Sequence, residues 1–297
     1  MQRHPLSPRL DHCPEGLPRA AYLEEEWFGR EMATIFARHW LMVGRLADFA
    51  PGTMRRVRLG AAEVVVCRLA DGSVSAFHNS CRHRGSELCR AEVEPLGKLV
   101  TCPYHAWAFA AADGRLVSTA HAVPTADFQR QDHRLKKVSI KIWSGFLFFS
   151  LAADPPPLLA DVPLTTLDNW PMAELQTGHR HEVELACNWK TFWENYSECL
   201  HCPGIHPELC DMVPVYGRGI MGASEALGWT PDAPAKANLR PGAESWTMTG
   251  AACAPAFPGL TEAERRAGDT FVTPLPPAYV GGPVGFVPPG PPMPRSP

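Results

Sequence analysis

The sequence predicts an α+β protein in which a small antiparallel β domain is followed by a mixed domain of helices and strands. Three observations carry that expectation. Between about residues 41 and 151 the strand-like runs MRRVRL, EVVVCRL, KLVTC and GFLFFSL alternate with turn signals such as Ala70-Asp71-Gly72 and Ala112-Asp113-Gly114. Before them, from Glu24 to Trp40, the apolar residues Trp27, Phe28, Ile35 and Phe36 recur at helical spacing, which predicts an amphipathic N-terminal helix. After them the proline-rich stretch DPPPLLADVP reads as a linker. Beyond it a strand, HRHEVELAC, leads into NWKTFWENYSECL, a helix that starts at Asn188 and is stopped by Pro203 and Gly204.

The resulting division is 1–40 for the N-terminal helical segment, which packs on the second domain, 41–153 for the β domain, 154–272 for the second domain and 273–297 for a tail. A chain of 297 residues can bury a substantial core, and two domains suit that length. The formal net charge of -3, with 20% charged and 45% hydrophobic residues, gives no footprint for nucleic acid or a charged membrane surface. The N-terminus has no apolar core of a signal peptide, and the longest apolar run, GFLFFSLAA, is too short to span a bilayer. A cytoplasmic protein is expected, with its ten cysteines reduced, buried or metal-bound rather than paired.

Two turns of the β domain carry soft and borderline ligands: Cys81-x-His83 in CRHRG, and Cys102-x2-His105 in CPYHAW. Four such ligands on neighbouring turns point to a metal site. A Cys2His2 zinc finger would show a cysteine pair and then a histidine pair on a helix, whereas each turn here supplies one Cys and one His. That pattern suits a centre in which two histidines replace two cysteines on one iron of a [2Fe-2S] cluster. The two motifs resemble the Rieske signature. By that resemblance Cys81 and Cys102 bind one iron as thiolates, and His83 and His105 bind the outer iron as neutral imidazoles. Cys89 has no place in this scheme and is expected to be a buried or incidental thiol.

In the second domain Glu194, Glu198 and His201 fall at i, i+4 and i+7 of the expected helix, and His206 follows beyond the Pro203-Gly204 break. Two histidines and a carboxylate form the facial triad of non-haem Fe(II) oxygenases. The bland alternative is a solvated acidic face with two incidental histidines. A zinc site drawn from Cys199, His201, Cys202, His206 and Cys210 matches no common zinc spacing. With CRHRG and CPYHAW in the same chain, NWK and E-x2-H-x4-H resemble the oxygenase alpha subunit of Rieske non-haem iron oxygenases. Glu198 and the ECLHCPxxHP wording resemble the branch that acts on quaternary ammonium compounds, such as glycine betaine and carnitine.

That resemblance implies an all-β Rieske domain followed by a helix-grip (SRPBCC-like) catalytic domain. It makes His201 and His206 ligands of a mononuclear Fe(II), and Glu198 the bridge through which an electron arrives from the Rieske centre of a neighbouring subunit. It further implies a homotrimer, a separate flavin/iron-sulfur reductase, and dioxygen with a small-molecule substrate that is hydroxylated or N-demethylated. Such a substrate suits aromatic faces, and Trp193, Tyr216, Trp229, Trp246 and Phe271 are available.

The family's third iron ligand, a late Asp, has no counterpart here, since Asp211, Asp232 and Asp269 do not stand at its place. From Pro274 onward ten of 24 residues are Pro and four are Gly, so no central strand or long helix is expected there, and the abrupt change of composition suggests a frameshift or truncation. Two alternatives therefore stand beside the oxygenase: a Rieske electron-transfer protein, and an inactive product that keeps only its cluster.

Overall fold

The computed structural model describes residues 15–59, 62–158, 167–222, 238–273, 278–285, 287, 289–290 and 294. The N-terminal helix forms, but earlier and in pieces. Helices α1 (Ala20–Leu23) and α2 (Glu25–Glu31) are separated by Glu24, whose backbone is extended (φ -96°, ψ 130°), and α2 continues as a π-helical turn, Met32–Phe36. It ends there, so Trp40 leads into the first strand rather than closing the helix.

All four predicted strand runs of the β domain form. β1 (Leu41–Arg45), β10 (Phe146–Ser150) and β9 (Ser139–Trp143) make one antiparallel sheet in the order β1-β10-β9. β2 (Thr53–Leu59), β3 (Ala62–Arg68), β4 (Val74–His78) and β5 (Val93–Pro95) make a second, ordered β4-β3-β2-β5. β6 (Leu99–Thr101), β7 (Ala108–Ala110) and β8 (Leu116–Ser118) make a third. β3 lies in the middle of this domain, and its two faces, set by strand alternation, serve two cores. Val65 and Cys67 pack with Met54, Phe77, Cys81, Cys102 and Trp107. Val64 and Val66 pack with Phe36, Leu41, Leu147 and Phe149. The predicted Ala112-Asp113-Gly114 turn is tightly built: Gly114 has φ 74°, and a Cβ there would stand 2.6 Å from the Phe77 ring.

The second half departs from the sequence reading in three places. The strand expected at 179–187 is not a ladder strand; it runs without regular structure, and its alternate residues Val183 and Leu185 are exposed. The helix from Asn188 begins as expected, the Asn188 side chain accepting from the Lys190 N–H, but α3 (Trp189–Tyr196) ends before Ser197 instead of running to Pro203. Asn195 and Ser197 are weak helix formers, and Pro203 opens a new short helix, α4 (Cys202–Ile205), where a missing N–H costs nothing. α5 (Pro207–Met212) follows directly.

The third departure is the tail. β11 (Asp269–Val272) pairs with β12 (Tyr279–Pro283), which pairs with β13 (Pro289–Gly290), so a central strand does form beyond Pro274. The run AYVGG is free of proline, Pro283 closes the strand, and Ala278, Val280 and Val284 are buried. Its glycines make room for Trp170, since a Cβ on Gly282 would stand 2.4 Å from that indole. Helix α6 (Glu262–Ala267) precedes this sheet and carries a full Thr261–Glu264 capping box.

Buried polar groups tie the two halves together. Arg45 on β1 donates to the carbonyls of Ser144 (2.8 Å), Met172 and Leu175 (3.2 Å), and lies 4.5 Å over the Phe146 ring. Burial lowers its pKa from the ordinary guanidinium value. The Trp40 Nε1–H donates to the Pro156 carbonyl at 2.6 Å. On α2, Glu31 accepts from Lys190 Nζ at 2.7 Å and from Trp189 Nε1 at 2.8 Å, which holds α3 against the N-terminal helix.

Candidate functional site

Two loops of matching geometry lie above the β6-β7-β8 and β4-β3-β2-β5 sheets. In the first, the Cys81 N–H donates to the Ser86 carbonyl (2.8 Å) and the Gly85 N–H to the Cys81 carbonyl (2.9 Å). In the second, the Cys102 N–H donates to Trp107 (2.8 Å) and the Ala106 N–H to Cys102 (3.0 Å). The fifth residue of each loop takes a left-handed backbone, φ 75° at Gly85 and 55° at Ala106. Each loop thus offers its cysteine inward, both being buried, and its histidine outward, both being exposed. The His83 and His105 rings lie 4.7 Å apart between centroids. Burial pushes the Cys81 thiol up to about 11, with the neighbouring Cys102 thiol adding to the rise and the His83 backbone opposing it. Such a thiol keeps its proton at neutral pH unless a metal replaces it. A dinuclear cluster asks each loop for one thiolate and one imidazole on one side of the domain, and these residues fit it.

Aromatic rings steady the outward pair. Trp107 stacks on His83 (4.6 Å, 10° between planes), and Tyr104 lies 3.7 Å from His105. Behind Trp107 stand Phe128 and His133, themselves stacked at 4.4 Å. The loop motif places Trp107 in view, but nothing in the sequence marks Phe128 or His133, which arrive from a later segment. Cys89 is a buried thiol whose Sγ lies 3.4 Å from the Ala91 carbonyl, as its omission from the ligand set requires.

Around the second motif, Glu198 and His201 leave the helix that the spacing predicted, and the turn after α3 brings them together. Glu198 Oε1 lies 2.6 Å from His201 Nδ1, and the Leu200 N–H donates to the other carboxylate oxygen. Burial raises the Glu198 pKa, but hydrogen bonds from His201 and the Leu200 backbone outweigh it and hold the carboxylate below its ordinary range. His201 and His206 face each other with centroids 5.3 Å apart. Glu194 does not join them; it accepts from the Tyr22 hydroxyl of α1.

Cys199 and Cys202 form a disulfide around His201, which corrects the expectation of wholly reduced cysteines and removes both thiols from any zinc arrangement. Among the described residues no three His, Cys, Asp or Glu side chains gather to hold one ion. Asp211 pairs with Arg240 (3.3 Å) and Asp269 accepts from the Gly282 N–H (2.9 Å), while Asp232 lies outside the described residues. Two imidazoles, one of them hydrogen-bonded to Glu198, are thus what the described residues could offer a mononuclear iron, and neither Asp211 nor Asp269 stands with them as a third ligand.

The aromatics anticipated for a substrate pocket do not all gather at one place. Trp193 and Tyr216 are buried, Trp246 Nε1 donates to the Ala267 carbonyl, Phe271 is exposed, and Trp229 lies outside the described residues. The ring cluster beside the motif is instead Phe192, Trp193 and Tyr196 of α3 with Tyr279 of β12, joined by contacts of 5.4–6.4 Å. Burial, with Asp269 and Tyr279 close by, pushes Tyr196 up to about 12.

Residues 39–129 match the Rieske [2Fe-2S] domain, and residues 172–278 match the catalytic domain of the ring-hydroxylating alpha subunit. The Rieske domain and the catalytic domain of ring-hydroxylating alpha subunits thus both have a match in this chain. It is 39% identical over 198 residues to the glycine betaine monooxygenase oxygenase subunit of Pseudomonas aeruginosa, covering 65% of this chain and 45% of that one. It is 30% identical over 205 residues to the carnitine monooxygenase oxygenase subunit of Escherichia coli K12, covering 67% and 54%. The chain thus spans about half the length of these curated relatives. A solved quaternary ammonium Rieske monooxygenase shares the fold, with a TM-score of 0.70 over 94% of this chain and 72% of that one at 21% identity. No helix among the described residues is long and apolar enough to cross a membrane.

Proposed function

We propose that this chain is an oxygenase component of a multi-component Rieske monooxygenase acting on a quaternary ammonium compound such as glycine betaine. The observation that carries the reading is the coexistence, in one chain, of two matched Cys/His loops with a Glu198–His201–His206 constellation. Cys81, Cys102, His83 and His105 would hold the [2Fe-2S] cluster, and His201 and His206 the mononuclear iron. Bound there, the two centres supply one-electron relay and activation of dioxygen. Glu198, kept ionised and hydrogen-bonded to His201 Nδ1, would leave Nε2 as that imidazole's metal-binding nitrogen and would serve as the bridge for an incoming electron.

The faces of Phe192, Tyr196 and Tyr279, with Asp269 nearby, suit a trimethylammonium group, which has no hydrogen to donate and is held by ring faces and negative charge. A separate flavin/iron-sulfur reductase, a homotrimer in which neighbouring subunits exchange electrons, and a cytoplasmic site of action complete the reading.

A second reading, a chain that binds the cluster alone and relays electrons, is favoured by the two-imidazole donor set. Iron and acid-labile sulfide per chain after anaerobic reconstitution, with the reduced-state EPR spectrum, separates the two. Three irons to two sulfides, with oxygen uptake on adding glycine betaine, supports the oxygenase. Two irons to two sulfides without uptake supports the relay.

A further inference from the structure

We propose that a hollow at the foot of the first cluster loop is a binding site for a small oxyanion, a phosphate or carboxylate group, held by Arg82, Lys136, His78 and Ser80. The hollow has a volume of about 210 Å³, is open to solvent, and is lined by those four residues. The fold assembles it from distant segments. β4 ends at His78, whose backbone N–H donates to the Lys136 carbonyl at 3.0 Å, so an imidazole and an ammonium far apart in sequence share one wall. The Ser80 N–H donates to the His78 carbonyl at 2.7 Å, and the Ser80 hydroxyl lies 3.4 Å from the Gly85 carbonyl, which closes the loop over the hollow and carries Arg82 to its rim.

The chemistry of this wall is one-sided. Arg56 and Arg58, on the adjacent strand, are paired with Glu87 (3.6 Å) and Glu63 (2.5 Å). Among the described residues no ion pair is made by Arg82, Lys136 or His78. The Arg82 Nε–H is buried without a protein acceptor, as are four other side-chain N–H groups among the described residues, so it is free to donate to an anion. Burial and the Lys136 charge lower the His78 pKa, as expected where cationic groups crowd with no anion between them. A guanidinium fork, an ammonium and an imidazole around one hollow, with a hydroxyl that could turn from the Gly85 carbonyl, form a donor set suited to a compact oxyanion. The binding claim does not depend on the oxygenase reading.

The test is calorimetric titration of the full chain with inorganic phosphate, and separately with acetate, at an ionic strength held constant with chloride. Saturable one-site binding is expected with at least one of them, weakened about tenfold or more in Lys136→Gln, the loss of one charge-assisted contact. Lys136 is exposed, so that variant keeps the fold, and His78→Gln provides a second reading of the same wall. Saturation by phosphate alone assigns a tetrahedral oxyanion and by acetate alone a carboxylate. No saturable heat with either anion, or equal affinity in wild type and both variants, would overturn the proposal.

Discussion

Replacing Lys190 by Met tests whether the N-terminal helix organises the second motif. Lys190 Nζ lies 2.7 Å from Glu31 Oε1, and the two side chains are 9% and 8% exposed. At that distance, with an effective dielectric constant of about 20, the attraction is about 6 kcal/mol, most of it offset by the desolvation of two charges. Removing Lys190 leaves the Glu31 carboxylate buried with only the Trp189 N–H to satisfy it. The expected cost of Lys190→Met is therefore about 3–5 kcal/mol, and Glu31→Leu should cost a similar amount. Removing both charges together should cost less than either change alone, because no orphaned charge remains. The assay is urea unfolding followed by far-UV circular dichroism on the two single variants and the double variant. Additive losses, with a coupling under about 0.5 kcal/mol, would refute the reasoning.

Three further outcomes are expected. Trp107→Leu removes the ring stacked on His83 and should cost about 3 kcal/mol and alter the reduced-state EPR line shape, while Trp107→Phe, keeping a ring, should retain the signal; equal spectra in both variants would show that the stack is incidental. Ala106→Gly should stabilise the β domain by about 1 kcal/mol, because φ 55° is easy only for glycine; a lower melting temperature would count against it. Burial raises the Glu264 pKa, but hydrogen bonds from Thr261, Trp170 and Asn169 outweigh it and bring the value to about 2, from 4.5 in the unfolded chain. The stability this carboxylate adds, on the order of 3 kcal/mol, is present above pH 4.5 and disappears as pH falls toward 2. Unfolding of Glu264→Gln against wild type should therefore converge in acid, and a constant gap would refute the assignment.

The β domain was legible because its signals are local. Alternating runs such as MRRVRL and the Asp-Gly turns set strands that pair with sequence neighbours, and two short motifs carry one Cys and one His each. The second half was read less well where a local pattern was ambiguous. The i, i+4, i+7 spacing of Glu194, Glu198 and His201 holds only while one helix continues, and weak formers at Asn195 and Ser197 end it, so proximity of Glu198 to His201 comes from a turn. Proline content misled in the tail, because the one proline of β12, Pro283, stands at the strand's end and Pro289 lies on the short strand β13 beside it. The Cys199–Cys202 bond was hidden by a prior about compartment, although their spacing in sequence allows it.

Neither half supplies its own walls. Arg45, on the first strand of the β domain, can satisfy its donors only with carbonyls at 144, 172 and 175, two of them in the second half. Trp40 finds its acceptor at Pro156, and Glu31 finds both of its donors on α3. Cut between residues 153 and 167, the chain would strand a buried guanidinium and a buried carboxylate, which is costlier than losing apolar contact alone. The turn that presents Glu198 and His201 begins where α3 ends, and α3 is fixed by Asn188 bonded to the Tyr22 carbonyl, Lys190 to Glu31 and Glu194 to the Tyr22 hydroxyl. The position of the second motif is thus set from the N-terminal helix, and a change at Tyr22 or Glu31 should be felt at His201 without touching it.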